Sequence, residues 1–460
     1  MKRLFALSRC GVVAFAWGLF LPTAVQAVVS SWVPIGPPGN ANVVAVGVFG
    51  STVYAATNDS GVLRTTDGGK TWISVNTGLT NLSVRALTVL TFFTPGLCPP
   101  PVCGSPFPVL YTGTYGGGVF MGDGTSWHPV NSGLTNLRVL ALAASRSTLY
   151  TATEDGGIFR SDDSGTSWLP ASAGQPSLTV ASKLAVDPTN SLTAYAGGGA
   201  GEGLFKTTDG GATWTLINLA QHSFFAAIGI DPSSTVYVSF GPPPFPSLNL
   251  PPFPLSISKS IDGGANWQTF ALPLAVSCFS FGLDPETGSL AVYAGGSGGV
   301  LQSTDGGATW SGSTIGLPNL PVQSLAVGFP FGGTVYAGIP GAGVFASGCV
   351  SGADALCVNQ SRFQVRVWWT PASFNGGGVF ATAIPITGTT GAFWFFDPTN
   401  LELVVKVLDG RSINGKFWVF FGALSNVEYQ VIVTDTQTGA VKNYFNSQGQ
   451  LASVADTTAF

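Results

Sequence analysis

Among the acidic residues of positions 28–348, six are neither the recurring aspartates nor part of an Asp-Pro pair; with Asp162 inside a repeated run and Glu286 beside a turn set aside, Asp59, Glu154, Asp155 and Glu202 remain. Two carboxyl groups facing each other about 5 to 9.5 Å apart across a cleft cleave glycosidic bonds, one protonating the leaving oxygen while the other attacks or activates water. Tyr115 adds a phenol outside the recurring tyrosines, and a phenol becomes a nucleophile when a neighbouring base takes its proton. Arg85 and Arg138 are the arginines of this region left for a ligand, since a guanidinium offers paired N–H donors to an anionic group. These side chains serve binding without turnover equally well. Acidic residues beside glycine are also ordinary turn formers.

What positions them is a repeat. The run Thr65-Thr66-Asp67-Gly68-Gly69-Lys70-Thr71-Trp72 returns at residues 161–168, 207–214, 260–267 and 303–310, with a shortened copy at 123–127. Tyrosines recur at 54, 111, 150, 195, 237, 293 and 336, each within a short alternating strand that precedes a glycine-rich turn and a second strand. Repeat lengths near 40 residues with four short strands each predict a seven-bladed β-propeller. The seventh tyrosine unit has no tryptophan downstream, and Trp32 has no unit upstream. The Trp32 strand is therefore expected to complete the last blade and remove the free edges of an open array. In such a blade the turns between second and third strands, and the segments leading into each inner strand, share one face. Asp59, Tyr115, Glu154, Asp155 and Glu202 fall there, with Arg85 and Arg138 at the starts of inner strands.

The octad Ser/Thr-x-Asp-x-Gly-x-Thr-Trp resembles the Asp-box of the bacterial neuraminidase repeat, found in sialidases, xyloglucan-cleaving glycosidases, sortilin-type receptors and photosystem II assembly factors. The resemblance implies a structural box: Asp accepts backbone N–H groups in a tight turn, Gly takes positive φ, and Trp buries its ring between blades. One aspartate per blade keeps Asp67, Asp123, Asp163, Asp209, Asp262 and Asp305 apart, so they are not read as catalytic or as metal ligands. Resemblance to sialidases implies a tyrosine nucleophile, a carboxylic acid and three arginines. Arg64 and Arg160 occupy a position filled elsewhere by Lys206, Lys259 and Gln302, and Arg146 falls in a turn on the octad face, so of the five arginines in 28–348 two remain where that chemistry needs three. The xyloglucan-cleaving enzymes, by the same resemblance, use a cleft between two propellers, and this chain holds one. The expected function is binding of a protein or glycan on the loop face, with a glycoside hydrolase as the alternative.

Residues 1–27 carry Lys2 and Arg3, an apolar run and small residues ending at Ala27, the pattern of a secretory signal peptide. Residues 28–348 form the expected propeller, 349–357 a linker, and 358–460 a β-sandwich of about seven strands. The sandwich resembles an uncharacterised terminal module of bacterial secreted proteins, which implies no activity. Export suits two local disulfides, Cys98 with Cys103 and Cys349 with Cys357, and leaves Cys278 as an inert thiol in an apolar run. The proline-rich insertion 241–255 presents Phe245 and Phe253 on the loop face as further ligand-binding candidates. Only 9% of residues are charged and the net charge is −4, so no basic face awaits nucleic acid. Two histidines, His128 and His222, predict no metal site, and no cofactor is expected. A secreted or periplasmic monomer without a membrane span after signal cleavage is the expectation.

Overall fold

Each of the first six repeat units folds as an antiparallel four-stranded sheet. In the first, Val43–Phe49 pairs with Thr52–Thr57, then Gly61–Thr65, then Ile73–Ser74. The computed structural model describes residues 32–460 except 38, 40, 94–105, 173–180, 198–202, 218, 220–224, 241–254, 284–288, 314–315, 329–333, 350–353, 360–361, 372–377, 398–399 and 437–439. Seven four-stranded sheets lie among the described residues. Their inner strands, Val43–Phe49, Val84–Phe93, Val139–Ser145, Lys183–Val186, Phe225–Ile230, Val276–Leu283 and Ser324–Val327, touch one another in that order, and the last touches the first. The result is a ring, a β-propeller. Its core is the set of spaces between neighbouring sheets: Val43 and Ala55 of the first sheet pack with Tyr336 and Val344 of the last.

The ring closes through Trp32–Gly36, which pairs with Gly343–Ser347 in the register Trp32↔Ser347 and Val33↔Ala346. An N-terminal strand thus supplies the outer edge of a sheet whose other strands come from residues 324–347.

The octads explain their own composition. Thr65 Oγ1 donates to Asp67 Oδ1 (2.8 Å) while accepting from Gly69 N–H (2.9 Å), so the first position must hold a hydroxyl. Ser161, Thr207, Ser260 and Ser303 do the same. Asp67 also accepts from the N–H and hydroxyl of Thr71 (3.0 and 2.6 Å), and Gly68 and Gly69 adopt φ of 73° and 91°, where a Cβ would be strained. Several sheets then reach the next turn of this kind. Arg64 Nη1 donates to Gly124 O (3.1 Å), Lys206 Nζ to Gly263 O (2.7 Å) and Lys259 Nζ to Gly306 O (2.7 Å). The recurring tyrosines help: Tyr195 and Tyr237 hydroxyls donate to Gly263 O and Gly306 O. Arg160 pairs instead with Asp162 at 2.6 Å.

Hydroxyl donation from Ser167 and Thr213, followed by the backbone N–H of the same residues, holds the Asp163 and Asp209 carboxyls at about 2. Asp123 and Asp262 also lie at about 2. A carboxyl with a depressed folded pKa contributes stability that is present above its unfolded value and is lost as pH falls through its folded one. The thermal midpoint should therefore fall between about pH 4 and pH 2 and stay nearly flat from about pH 5 to 8. These four carboxyls are exposed and each contributes modestly. Scanning calorimetry across pH at fixed ionic strength checks this; a midpoint unchanged down to about pH 2 would contradict it.

Beyond the ring, two five-stranded sheets face each other as a sandwich around one core. Phe363, Val365 and Val367 from one meet Val405, Phe417 and Val419 from the other. The ten strands exceed the seven expected because Leu356–Val358, Val379–Phe380 and Ser453–Asp456 are too short to show a period in sequence. The first of these begins within the segment expected to be linker. That segment is pinned by the Cys349–Cys357 disulfide, and its Asp354 joins the two bodies, pairing with Lys70 of the first octad and Arg366 of the sandwich, each at 2.6 Å.

Candidate functional site

Equivalent turns of successive sheets place the candidate residues. Thr57, Thr114 and Thr153 end second strands, and each hydroxyl donates across its turn to the carbonyl of Gly61, Gly118 or Gly157. The next residue, Asn58, Tyr115 or Glu154, donates its N–H to the residue before or near an inner strand: Asn42, Ser83 and Arg138. Tyr115 and Arg138 also form an isolated antiparallel bridge between the second and third sheets. Four predicted side chains meet there. The Tyr115 hydroxyl donates to Glu154 Oε2 at 2.7 Å, and Arg138 Nη1 donates to the same oxygen at 3.1 Å. The Arg85 and Arg138 guanidinium carbons lie 5.1 and 5.8 Å from the Tyr115 ring centroid, within cation–π range.

Two asparagines hold the frame. Asn81 Nδ2 donates to Tyr115 O (3.2 Å) while its Oδ1 accepts from Ser83 N–H (2.8 Å). Asn136 Nδ2 donates to Glu154 O while its Oδ1 accepts from Arg138 N–H (2.8 Å). Sequence reasoning passed over both. Their signal was the doubled Gly-Leu-Thr-Asn-Leu at 78–82 and 133–137.

The hydrogen bond to Glu154 raises the Tyr115 phenol above its ordinary value. The same bond, aided by Arg138, lowers the Glu154 carboxyl. At neutral pH the cluster is therefore one anion between two cations, with a phenol that keeps its proton. Arg138 is 57% exposed, and Arg85 is exposed with no ion pair among the described residues. Donors thus remain available to an incoming anionic or hydroxyl-rich group.

The other candidates do not join this cluster. Asp59 is exposed and accepts only from neighbouring Ser60 (2.9 Å) in the contacts seen. Asp155 is exposed at φ 59°. Each stands one place beyond the turn position that faces a neighbouring sheet, so neither forms a carboxylate pair with Glu154 among the described residues. Glu202, Phe245, Phe253, Cys98 and Cys103 lie outside the described residues. Cys278 is half-buried rather than fully enclosed, yet burial pushes its thiol up to about 12, which keeps it protonated and inert.

Residues 109–224, which include Tyr115, Arg138 and Glu154, match the DUF6242 beta propeller domain. A stretch of 99 residues is 39% identical to a xyloglucanase of Hypocrea jecorina (strain QM6a) and covers 19% of this chain but 11% of that enzyme's length. Among solved structures, YCF48 bound to D1 peptide superposes with a TM-score of 0.48 at 17% identity, over 69% of this chain and 96% of that one. The GH74 enzyme of Niastella koreensis gives 0.49 at 17% identity, over 93% and 73%. The domain match and the closed ring of four-stranded sheets agree on one fold, a β-propeller.

Proposed function

We propose that this chain is an exported propeller that binds a protein or glycan on its loop face, at the Tyr115 cluster. One observation carries the reading: Tyr115, Glu154, Arg138 and Arg85, drawn from two adjacent sheets, converge with hydrogen-bonding groups left at the surface. The repeated turns fix their backbones, so little ordering entropy opposes binding. The leader-like first 27 residues and the Cys349–Cys357 disulfide support export. Array binding of the intact chain on immobilised glycans and peptides tests it. Arg138→Ala should weaken retention about ten-fold or more, since it removes a charged donor and frees Glu154, while the thermal midpoint stays nearly unchanged. Retention unaltered by both Arg138→Ala and Arg85→Ala would overturn this site.

A second reading, a glycoside hydrolase, is favoured by one contact: the Tyr115 phenol already donates to a carboxylate, the geometry of an assisted nucleophile. The 39% identical stretch shared with a xyloglucanase points to the same substrate class. Against it, the proton sits firmly on the phenol and no second carboxylate faces Glu154 among the described residues. Sugar release from a polysaccharide panel, stopped by Tyr115→Phe and Glu154→Gln, would replace the binding reading.

A further inference from the structure

The sandwich carries a separate surface that the ring does not explain. In the strand Phe363–Trp369, Phe363, Val365, Val367 and Trp369 are buried, so Gln364, Arg366 and Trp368 face away from the core. The register continues that outer face across the sheet. Phe380 lies opposite Trp368, Trp368 opposite Gln430, and Gln430 opposite Phe445. Phe380, Trp368 and Phe445 thus form one row with an amide set into it. Strands stand about 4.8 Å apart, so Trp368 and Phe445 are spaced on the order of 10 Å.

We propose that this row is a binding face for a neutral, extended glycan chain, with sugar rings lying on Trp368 and Phe445. Phe445 is 66% exposed and Trp368 37%, and their place in one row with Phe380 makes a contiguous apolar patch of the kind that marks a binding surface. Trp368 is braced edge-on against Phe380 at 4.9 Å, so a ligand need not pay to order it.

The charge balance selects the ligand class. Arg366 is the cation on this face nearest the row, stacked 3.5 Å over the Phe380 ring, and its charge is taken by Asp354 at 2.6 Å. What the row offers a visitor is therefore apolar ring faces and the uncharged amides of Gln430 and, one row away, Asn443. A sugar presents the complement: an apolar C–H face with hydroxyls around its rim. An acidic polymer or a charged peptide finds no counter-charge here. Because the site lies on a different body from the Tyr115 cluster, it stands or falls independently of the reading of the ring.

Affinity electrophoresis of the full chain in native gels cast with hydroxyethylcellulose, galactomannan or mixed-linkage β-glucan tests the proposal, with polygalacturonate as the acidic arm. Retardation is expected in at least one neutral gel and not in polygalacturonate. Trp368→Ala and Phe445→Ala should each weaken it about ten-fold, in line with loss of one aromatic contact. Should Trp368→Ala disturb folding, Phe445→Ala decides alone, its side chain being the more exposed. Free migration in every neutral gel overturns the proposal, as does retardation untouched by Phe445→Ala or seen only with polygalacturonate. Concentration-dependent dimerisation lost in the same variants would assign the face to a second copy of the chain and also overturn it. Arg138→Ala should leave this retardation unchanged.

Discussion

Removing residues 32–36 should lower the thermal midpoint by about 10 °C or more and turn a soluble ring into an aggregating one. Chain termini are usually the safest places to cut, so the expectation rests on what this strand does. Its ladder to Gly343–Ser347 closes the last sheet, and its Trp32 and Ile35 are 2% and 7% exposed. Loss of a buried tryptophan alone costs about 3 to 5 kcal/mol, a large share of the roughly 5 to 15 kcal/mol that holds a domain folded. The truncated chain would also bare the edge of Gly343–Ser347, whose residues are all buried in the intact ring. Such an edge pairs with other chains. Calorimetry and light scattering on intact and truncated proteins decide the matter, and equal midpoints would show that the ring does not depend on this closure.

The closure was legible because repetition makes an absence visible: one tyrosine unit lacked its tryptophan and one tryptophan lacked its unit. The octad was legible for a related reason, since its hydroxyl, carboxylate and glycines each satisfy a local backbone demand that recurs in five of the seven sheets. The Tyr115 cluster was legible only as a remainder. Tyr115, Glu154, Arg85 and Arg138 stood out singly because no repeat claimed them, but their meeting depends on register between neighbouring sheets. That register is carried by the Tyr115–Arg138 bridge, while Asn81 and Asn136 hold each turn to its own inner strand through hydrogen bonds that no periodicity announces. The same geometry separates Glu154 from Asp155 and Asn58 from Asp59: one residue along a tight turn changes a side chain from facing a neighbouring sheet to facing solvent. In the sandwich, alternation revealed the long core strands and hid the short ones, because two to four residues carry no period.

The octad tryptophans looked interchangeable in sequence, and the structure divides them. Trp127, Trp168 and Trp214 are buried, with indole N–H groups donating to carbonyls of the preceding sheet: Val75 O (2.6 Å), Val130 O (2.7 Å) and Ala171 O (2.6 Å). Trp267 and Trp310 are half-buried and donate within their own octads, to Gly264 O (3.0 Å) and Gly307 O (3.1 Å). The first group ties one sheet to the next, whereas the second braces a turn. Trp214→Ala should therefore cost about 3 to 5 kcal/mol, through the cavity left among Ala141, Ile158 and Phe205 and the stranded carbonyl of Ala171. Trp310→Ala should cost about 1 to 2 kcal/mol, since water reaches the vacated space and the freed carbonyl. Trp214→Phe separates the two contributions, keeping most of the volume while losing the N–H, and should cost about 1 to 3 kcal/mol. Urea unfolding with unchanged m-values measures all three. If Trp310→Ala proved as costly as Trp214→Ala, the bond across sheets would not be what holds neighbouring blades together, and burial of the ring face alone would have to carry that role.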